Sequence, residues 1–132
     1  MPSLTQRERD CVERFYALLE KRLGERLVEV RMFGSAARGD MWPNNSPMHS
    51  DIDLLVVTRD EASSVEQEEL IDETYPMSLE CGRQISPHFF SERRLKAPDD
   101  EGTRDFLRRM SKDAVVEWPA ARRESSAQPS AT

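Results

Sequence analysis

Apolar residues recur at helical spacing near the start of the chain and then switch to alternation. Thr5 and Glu8 have the spacing of a capping box, and Gly24 is a common helix stop. Between them, one face carries Val12, Phe15, Tyr16, Leu19 and Leu23. Residues 27–33 then alternate, with Val28, Val30 and Met32 on one side. The pattern predicts an amphipathic helix followed by a strand.

A second strand and a second helix are predicted after a polar interruption. Gly34 ends the first strand, residues 35–38 predict one short helical turn, and residues 40–50 have the composition of a loop. Residues 52–57 are almost wholly apolar, which is typical of a central strand covered on both faces. Residues 62–75 predict a helix that Pro76 should kink or interrupt. Because they recur every four residues, three side chains are assigned to the core: Ile71, Tyr75 and Leu79.

The last third of the chain predicts one more strand, a helix and a short extended piece. Residues 84–90 form the strand, and Pro87 places it at a sheet edge or makes it irregular, because proline cannot donate a ladder hydrogen bond. Residues 103–112 predict a helix, and residues 115–118 a short extended segment. Residues 119–132 have nothing to bury and are expected to be a disordered tail. We therefore expect one α/β or α+β domain over residues 1–118.

Composition and charge exclude several classes of function. The chain has 132 residues and a net charge of −6, and an acidic surface repels the phosphate backbone needed for non-specific nucleic-acid binding. No apolar run is long enough to span a bilayer, and residues 1–10 lack the apolar stretch of a secretory signal. Cys11 and Cys81 have no metal-ligand spacing. We expect a cytoplasmic protein with two reduced thiols.

Two aspartates lie at the start of the second strand. On a strand, Asp51 and Asp53 leave the same face, while Ile52, Leu54 and Val56 point into the core. Carboxylates that face the same way repel each other and lose hydration, a cost that a divalent cation removes. Magnesium suits such a pair, since it commonly takes one or two carboxylates and completes its shell with water and phosphate oxygens.

The corner after the first strand supplies a complementary half-site. Gly34 lets a phosphate approach the backbone closely, and Ser35 offers a hydroxyl and amide N–H groups to anionic oxygens. Arg38, one helical turn later, can reach the same phosphates with its guanidinium fork. Together with the aspartates, these residues predict a triphosphate held between a helix N-terminus and a metal ion.

With Gly34-Ser35, a loop, and Asp51-Ile52-Asp53 on the next strand, the sequence resembles the minimal nucleotidyltransferases of the DNA polymerase β superfamily. The resemblance covers roughly residues 27–91. It implies a small mixed β-sheet flanked by helices and transfer of a nucleoside monophosphate, AMP above all, from an NTP to a hydroxyl. It also implies that Asp51 and Asp53 hold Mg²⁺ ions and that Gly34 and Ser35 bind the β- and γ-phosphates.

The resemblance also bears on partners. Minimal members have only the catalytic half, and some pair with a HEPN-type helical protein as toxin and antitoxin, modifying that partner covalently. The implied partners of this chain are therefore an NTP, ATP above all, and a HEPN-type or other protein, with neither membrane nor non-specific nucleic acid among them. Homo-oligomer formation is left open.

Two departures from the family pattern concern the site. Fifteen residues, 36–50, separate Ser35 from Asp51, which predicts a longer loop over the site. The position that aligns with the third carboxylate of active members is Ser86, a poor metal ligand and a weak base. Glu80, at the end of the preceding helix, is the nearest acidic substitute. One alternative is therefore a nucleotide-binding pseudoenzyme that acts on a partner by contact, and another is a domain whose aspartate pair is incidental.

The remaining conspicuous residues have ordinary interpretations. His49 is expected to be solvated, and His88, although it shares a face with Ser86, is interpreted as an ordinary strand position. Trp42 could stack on a base, whereas Trp118 is expected to pack near the C-terminus. A basic cluster is interpreted as an exposed helix face balanced by nearby acids; it comprises Arg93, Arg94, Lys96, Arg104, Arg108 and Arg109.

Overall fold

The computed structural model describes residues 4–34 and 51–119. Helix α1 spans Gln6–Leu23 and begins with the expected capping box between Thr5 and Glu8. A 3-10 turn, Gly24–Arg26, leads into β1, Leu27–Phe33, as the alternation predicts. The turn expected at 35–38, the loop at 40–50 and the tail from residue 120 lie outside the described residues, as do His49 and Trp42. No helix in the described part is long and apolar enough to cross a membrane.

The second half of the chain adds three strands and three helices. They are β2 (Ile52–Thr58), α2 (Ser64–Cys81), β3 (Ile85–Ser91), α3 (Glu92–Lys96), α4 (Glu101–Ser111) and β4 (Val115–Trp118). The extended piece expected at 115–118 is therefore a true strand, and it pairs with β1. Pro76 lies inside α2 without ending it, so the predicted interruption there is wrong.

The four strands form one mixed sheet in the order β3-β2-β1-β4. Strand β1 pairs antiparallel with both β2 and β4, whereas β2 and β3 are parallel. Parallel neighbours need a crossover, and α2 provides it. Strand β3 lies at an edge, as Pro87 requires. The predicted mixed sheet with flanking helices is confirmed.

Two hydrophobic cores cover the two faces of this sheet. The larger core joins α1 and α2 to one face and includes the fully buried Ile52, Leu54 and Val56 of β2. The smaller core lies on the other face, where α4 contributes Leu107 and Met110. The aspartate pair must therefore be sought on the second face, because the intervening residues of β2 point into the first.

The predicted alternation of β1 fails at its beginning. A register shift between Leu27 and Glu29 breaks the pairing with β2. As a result Val28 packs with the smaller core, whereas Val30 and Met32 belong to the larger one. Glu29, expected on the polar side, is buried and forms an ion pair with Arg31. The prediction that Val28 shares a face with Val30 is wrong because the bulge turns the strand by one residue.

The assignment of Ile71, Tyr75 and Leu79 to the core is also wrong, since all three are exposed. The buried face of α2 is instead the neighbouring row, at intervals of three or four residues, formed by Leu70, Thr74, Ser78 and Cys81. Two of these residues are polar but satisfied locally. The Thr74 hydroxyl donates to the Leu70 carbonyl at 2.6 Å, and the Ser78 hydroxyl accepts from the Ile85 amide at 3.0 Å. These bonds remove the penalty of burying hydroxyl groups.

Candidate active site

The aspartate pair lies where β2 begins, on the face of the smaller core. Asp51 immediately precedes the strand and is exposed, and Asp53 is its second residue and is partly buried. Between and after them, Ile52 and Leu54 are fully buried in the larger core. The predicted opposition of carboxylates and core residues is therefore present in the structure.

Gly34 directly follows β1 and touches Asp53. Because Phe33 and Asp53 are partners across the antiparallel β1–β2 pair, the corner after β1 meets the second aspartate. Gly34 has a φ of 77°, and a Cβ atom added to it would lie 2.8 Å from the Asp53 Oδ2. Any other residue would be strained in the backbone and would also collide with the carboxylate. The sequence thus brings one half of the predicted phosphate corner against one half of the predicted metal site.

Ser86 completes the immediate surroundings of the pair. It lies on β3 in register with Asp53, and its hydroxyl donates to the Asp51 Oδ2 at 2.7 Å. Ser86, which the family resemblance aligns with a third carboxylate, therefore lies beside the aspartates. In the part of the chain that the structure describes, no group of three or more His, Cys, Asp or Glu side chains is placed to hold a metal ion.

The donor set fits a magnesium ion of the kind that uses few protein ligands. Asp51 and Asp53 offer carboxylate oxygens, the ligand type that magnesium prefers, and one or two carboxylates are sufficient when substrate phosphates and water complete the shell. One oxygen of Asp51 accepts from Ser86, which orients that carboxylate. A cation here would be held by two acids and not three.

His88 lies at the site, contrary to its interpretation as an ordinary strand position. Its Nε2 is 3.7 Å from the Asp53 Oδ1. The imidazole packs against two phenylalanine rings that also contact each other, with its centroid 5.5 Å from that of Phe33 and 5.4 Å from that of Phe106. The two-residue period of β3 already puts His88 on the same face as Ser86, but it does not show that Phe33 and Phe106 pack against the imidazole.

A cavity of about 270 Å³ opens beside the Gly34 corner. Phe33 and Phe106 form its aromatic walls, and Arg109 and Asp113 supply charged groups. Its position next to the predicted phosphate corner and its two rings make it suitable for a flat, apolar group attached to an anion. Arg109 is thus one member of the basic cluster that lines a cavity near the site.

The other predicted site residues lie elsewhere. Ser35 and Arg38 are outside the described residues, so their phosphate-binding roles remain predictions. The Glu80 side chain lies near α1, where its carboxylate forms an exposed ion pair with Arg14 at 2.5 Å. Its backbone carbonyl accepts from the Arg7 Nε at 2.7 Å. The structure therefore brings Ser86 to the aspartates, and engages Glu80 with the neighbouring helix.

Comparison with known proteins bears on the family and the fold. A family model described as a nucleotidyltransferase domain matches residues 12–114, which is most of the chain. No curated protein matches the sequence. The match to the family model includes β1, Gly34, the aspartate pair and β3, so it covers every described part of the candidate site.

Three solved structures share the fold at low sequence identity. The toxin-antitoxin MntA-HpeT is 17% identical over 81% of this chain and 71% of that chain, with a TM-score of 0.55. Spectinomycin adenyltransferase AAD(9) from Enterococcus faecialis, with ATP and spectinomycin, is 24% identical over 70% of this chain, with a TM-score of 0.57. The match spans 37% of that enzyme. A Shewanella oneidensis complex of tri-AMPylated HEPN toxin with MNT antitoxin is 14% identical over 84% of this chain and 71% of that chain, with a TM-score of 0.52.

Proposed function

The chain belongs to the nucleotidyltransferase domain family, and we propose that it transfers AMP from ATP to a hydroxyl group of a protein or small-molecule acceptor. The acceptor oxygen attacks the α-phosphorus, the bond from that phosphorus to the bridging oxygen breaks, pyrophosphate leaves, and the hydroxyl proton passes to solvent. We place this activity in the cytoplasm, whose reducing conditions suit the free thiols of Cys11 and Cys81.

The observation that carries the proposal is the contact between Gly34 and Asp53. Gly34 has a positive φ and the Asp53 Oδ2 lies 2.8 Å from where its Cβ would be, so the backbone of the corner and the carboxylate lie side by side. A phosphate bound there lies beside the carboxylate, and two anions stay together only with a cation between them. This combination favours a metal-bound polyphosphate over either a free phosphate or a metal ion alone.

Each residue then has a defined task. Asp51 and Asp53 hold magnesium, which when bound neutralises the triphosphate and the charge that develops on the leaving pyrophosphate. Gly34 and Ser35 bind the β- and γ-phosphates through the backbone and the serine hydroxyl, and Arg38 neutralises the same oxygens. Ser86 fixes the rotamer of Asp51 through its 2.7 Å hydrogen bond. Positioning and charge neutralisation are the main sources of rate in phosphoryl transfer.

The cavity beside Gly34 supports the choice of a nucleotide as donor. Its two rings, Phe33 and Phe106, give it an apolar wall against which a base can pack while the phosphates remain at the corner. For the acceptor we propose a protein of the HEPN type, because a fold neighbour of this chain is an antitoxin in complex with an AMPylated HEPN toxin. Antitoxin action by covalent modification is thus the role we propose.

A second candidate function is a nucleotide-binding pseudoenzyme that neutralises its partner by contact. The presence of Ser86, and not an acid, beside Asp51 and Asp53 is the observation that favours it. A serine hydroxyl neither ligates magnesium strongly nor removes a proton from an acceptor at neutral pH. Under this alternative the chain binds magnesium and ATP at the same residues but releases ATP unchanged.

A labelling experiment separates these candidates. The purified chain is incubated with magnesium, a cell extract as acceptor source, and ATP labelled at either the α- or the γ-phosphate. We expect transfer of the α-label alone, abolished in Asp53→Asn and retained in the control Glu20→Gln, at an exposed position of α1. Binding of a non-hydrolysable ATP analogue with no transfer supports the pseudoenzyme, and absence of magnesium-dependent binding contradicts both candidates.

A further inference from the structure

All four large hydrophobic side chains that are exposed in residues 4–34 and 51–119 belong to helix α2. Ile71 is 48% exposed, Tyr75 60% and Leu79 64%, and they follow each other at intervals of four residues. Val65, 62% exposed, lies near the start of the same helix but six residues before Ile71, so it is not part of this row. We call Ile71, Tyr75 and Leu79 the α2 ridge. Such a continuous apolar stripe on a charged surface is characteristic of an interaction site.

The charge around the ridge is of one sign. Helix α2 contains no Lys or Arg and six acids: Glu66, Glu68, Glu69, Asp72, Glu73 and Glu80. Three of these acids form ion pairs with arginines that precede β1 in the sequence: Glu66 with Arg26, Glu73 with Arg22 and Glu80 with Arg14. Those pairs lie along the border between α2 and the elements packed beside it.

Two acids beside the ridge, Glu68 and Asp72, differ from the three that form ion pairs. Glu68 and Asp72 each lie three residues before a ridge side chain, Ile71 and Tyr75 respectively, so they share its face. Neither carboxylate forms an ion pair within the described residues. The ridge therefore combines an apolar stripe with carboxylates whose charge is not compensated by the described part of the chain.

These observations decide between the occupants that could cover the ridge. A second copy of the chain would bring two acidic helices together, and like charges at such an interface are unfavourable. An anionic membrane surface is disfavoured for the same reason. The segment 120–132 carries two arginines, but its apolar side chains are four alanines and Pro129, too small to cover Tyr75 and Leu79. The occupant that matches both the apolar stripe and the acidic surroundings is a helix that is apolar on one face and basic at its edges.

We propose that the α2 ridge is the docking surface for an amphipathic helix of a partner protein whose apolar face is bordered by Lys and Arg residues. The helix lies along Ile71, Tyr75 and Leu79, and its basic residues pair with Glu68 and Asp72. Recognition of a helix by apolar anchors at three- and four-residue spacing is a general mode of protein binding.

The docking surface is separate from the candidate active site. The buried side of α2 packs on the larger core, whereas Asp53 lies on the sheet face of the smaller core, with Leu55 and Val57. A partner held on the ridge leaves the Gly34 corner open to nucleotide. The inference therefore does not require that the chain be catalytically active, and it holds for the enzyme and the pseudoenzyme alike.

Peptide binding tests the proposal without knowledge of the natural partner. The probe is a synthetic, fluorescently labelled helix of about five turns, with leucines on one face and lysines along both edges. The control peptide has the same composition in scrambled order, so it carries equal charge without an apolar face. Fluorescence anisotropy is recorded for the full chain and for variants, with circular dichroism as the check on folding.

We expect the amphipathic peptide to bind at least about tenfold more tightly than the scrambled one. Ile71→Ser/Leu79→Ser and Glu68→Lys/Asp72→Lys should each weaken binding by about tenfold or more, since one removes the apolar contact and the other reverses the charge. The matched charge control is Glu20→Lys/Glu25→Lys, on exposed positions of α1 and the following turn, which should bind like the unmodified chain. Asp53→Asn should also bind normally, which distinguishes failure here from failure of the proposed activity.

Four results would overturn the proposal. Equal binding of both peptides would show that charge alone is responsible. Unchanged binding by both ridge variants would place the contact elsewhere. A concentration-dependent dimer in sedimentation equilibrium that Ile71→Ser/Leu79→Ser converts to monomer would identify the occupant as a second copy, and binding gained only after removal of residues 120–132 would identify it as that segment.

Discussion

At the scale of single residues, Gly34 and Asp53 depend on each other. The glycine has a φ of 77° and no room for a Cβ atom, since the Asp53 Oδ2 would lie 2.8 Å from it. The role of Gly34 is therefore both conformational and steric. Gly82 offers a control within the same chain, because it has the same φ but no atom within 4 Å of a built Cβ.

We expect Gly34→Ala to abolish nucleotide transfer and Gly82→Ala to preserve it. Both substitutions place alanine in the left-handed region, which costs about 1–2 kcal/mol of unfolding free energy. Only Gly34→Ala also displaces the Asp53 carboxylate. Denaturant unfolding should thus show a similar loss for the two variants, while analogue binding in magnesium separates them. Equal nucleotide binding by both variants would exclude the Gly34 corner as part of the site.

Ser86 provides a second test at this scale. An aspartate at position 86 would place a third carboxylate beside Asp51 and Asp53, and three like charges repel each other until a cation binds. We therefore expect Ser86→Asp to be less stable than the unmodified chain without magnesium and to bind the ion about tenfold more tightly. Ser86→Asn, which has the same shape without the charge, is the control. A thermal midpoint of Ser86→Asp that magnesium does not raise would contradict this assignment.

At the scale of elements, the strands were easier to predict than the orientation of α2. Strands β1 and β2 and the edge position of β3 follow from alternation, an apolar run and Pro87, all of which are local signals. Local signals do not show which face of α2 is buried, because two rows of side chains on this helix each recur every three or four residues. The row of Leu70, Thr74, Ser78 and Cys81 faces the sheet although it contains two hydroxyl groups. The Thr74 hydroxyl is satisfied by the Leu70 carbonyl and the Ser78 hydroxyl by the Ile85 amide, and sequence spacing does not show the second, tertiary bond.

The start of α2 is tied to the turn after α1 by Arg26. Its guanidinium donates to both carboxylate oxygens of Glu66, at 2.7 and 2.9 Å, and to Asp60 at 2.9 Å. These hydrogen bonds from Arg26 lower the pKa of Glu66 to about 2. A carboxylate with a lowered pKa stabilises the fold above its ordinary pKa of 4.5, and this contribution is lost as the pH falls toward 2.

We expect Glu66→Gln to remove that pH dependence. Glutamine keeps the capping interaction with Ser63 but cannot form the ion pair. Because both partners are about one-third exposed, the loss should stay below about 1 kcal/mol. The difference in unfolding free energy between the two proteins should be constant above pH 5 and vanish near pH 2, as measured by urea unfolding. Glu68→Gln is the control, and a difference that grows as the pH falls would contradict the assigned pair.

At the scale of the whole molecule, the sheet separates the two proposed sites. One face holds the aspartates, Ser86 and His88, and the helical layer on the other face carries the α2 ridge. The proximity of Gly34, Asp51 and Asp53 can be predicted from a short motif and strand alternation, and Ser86 from the family resemblance, and the structure brings the four together. Their roles remain predictions. His88 was missed because its significance depends on Phe33 and Phe106, which come from distant parts of the chain.

The most direct test of the central claim is a crystal structure of the full chain with a non-hydrolysable ATP analogue and Mn²⁺, which replaces Mg²⁺ and can be located by its anomalous scattering. We predict an anomalous peak in direct coordination with the carboxylates of Asp51 and Asp53, and phosphate oxygens against the backbone of Gly34. A triphosphate bound away from that corner, or a metal peak that contacts neither aspartate, would contradict the account.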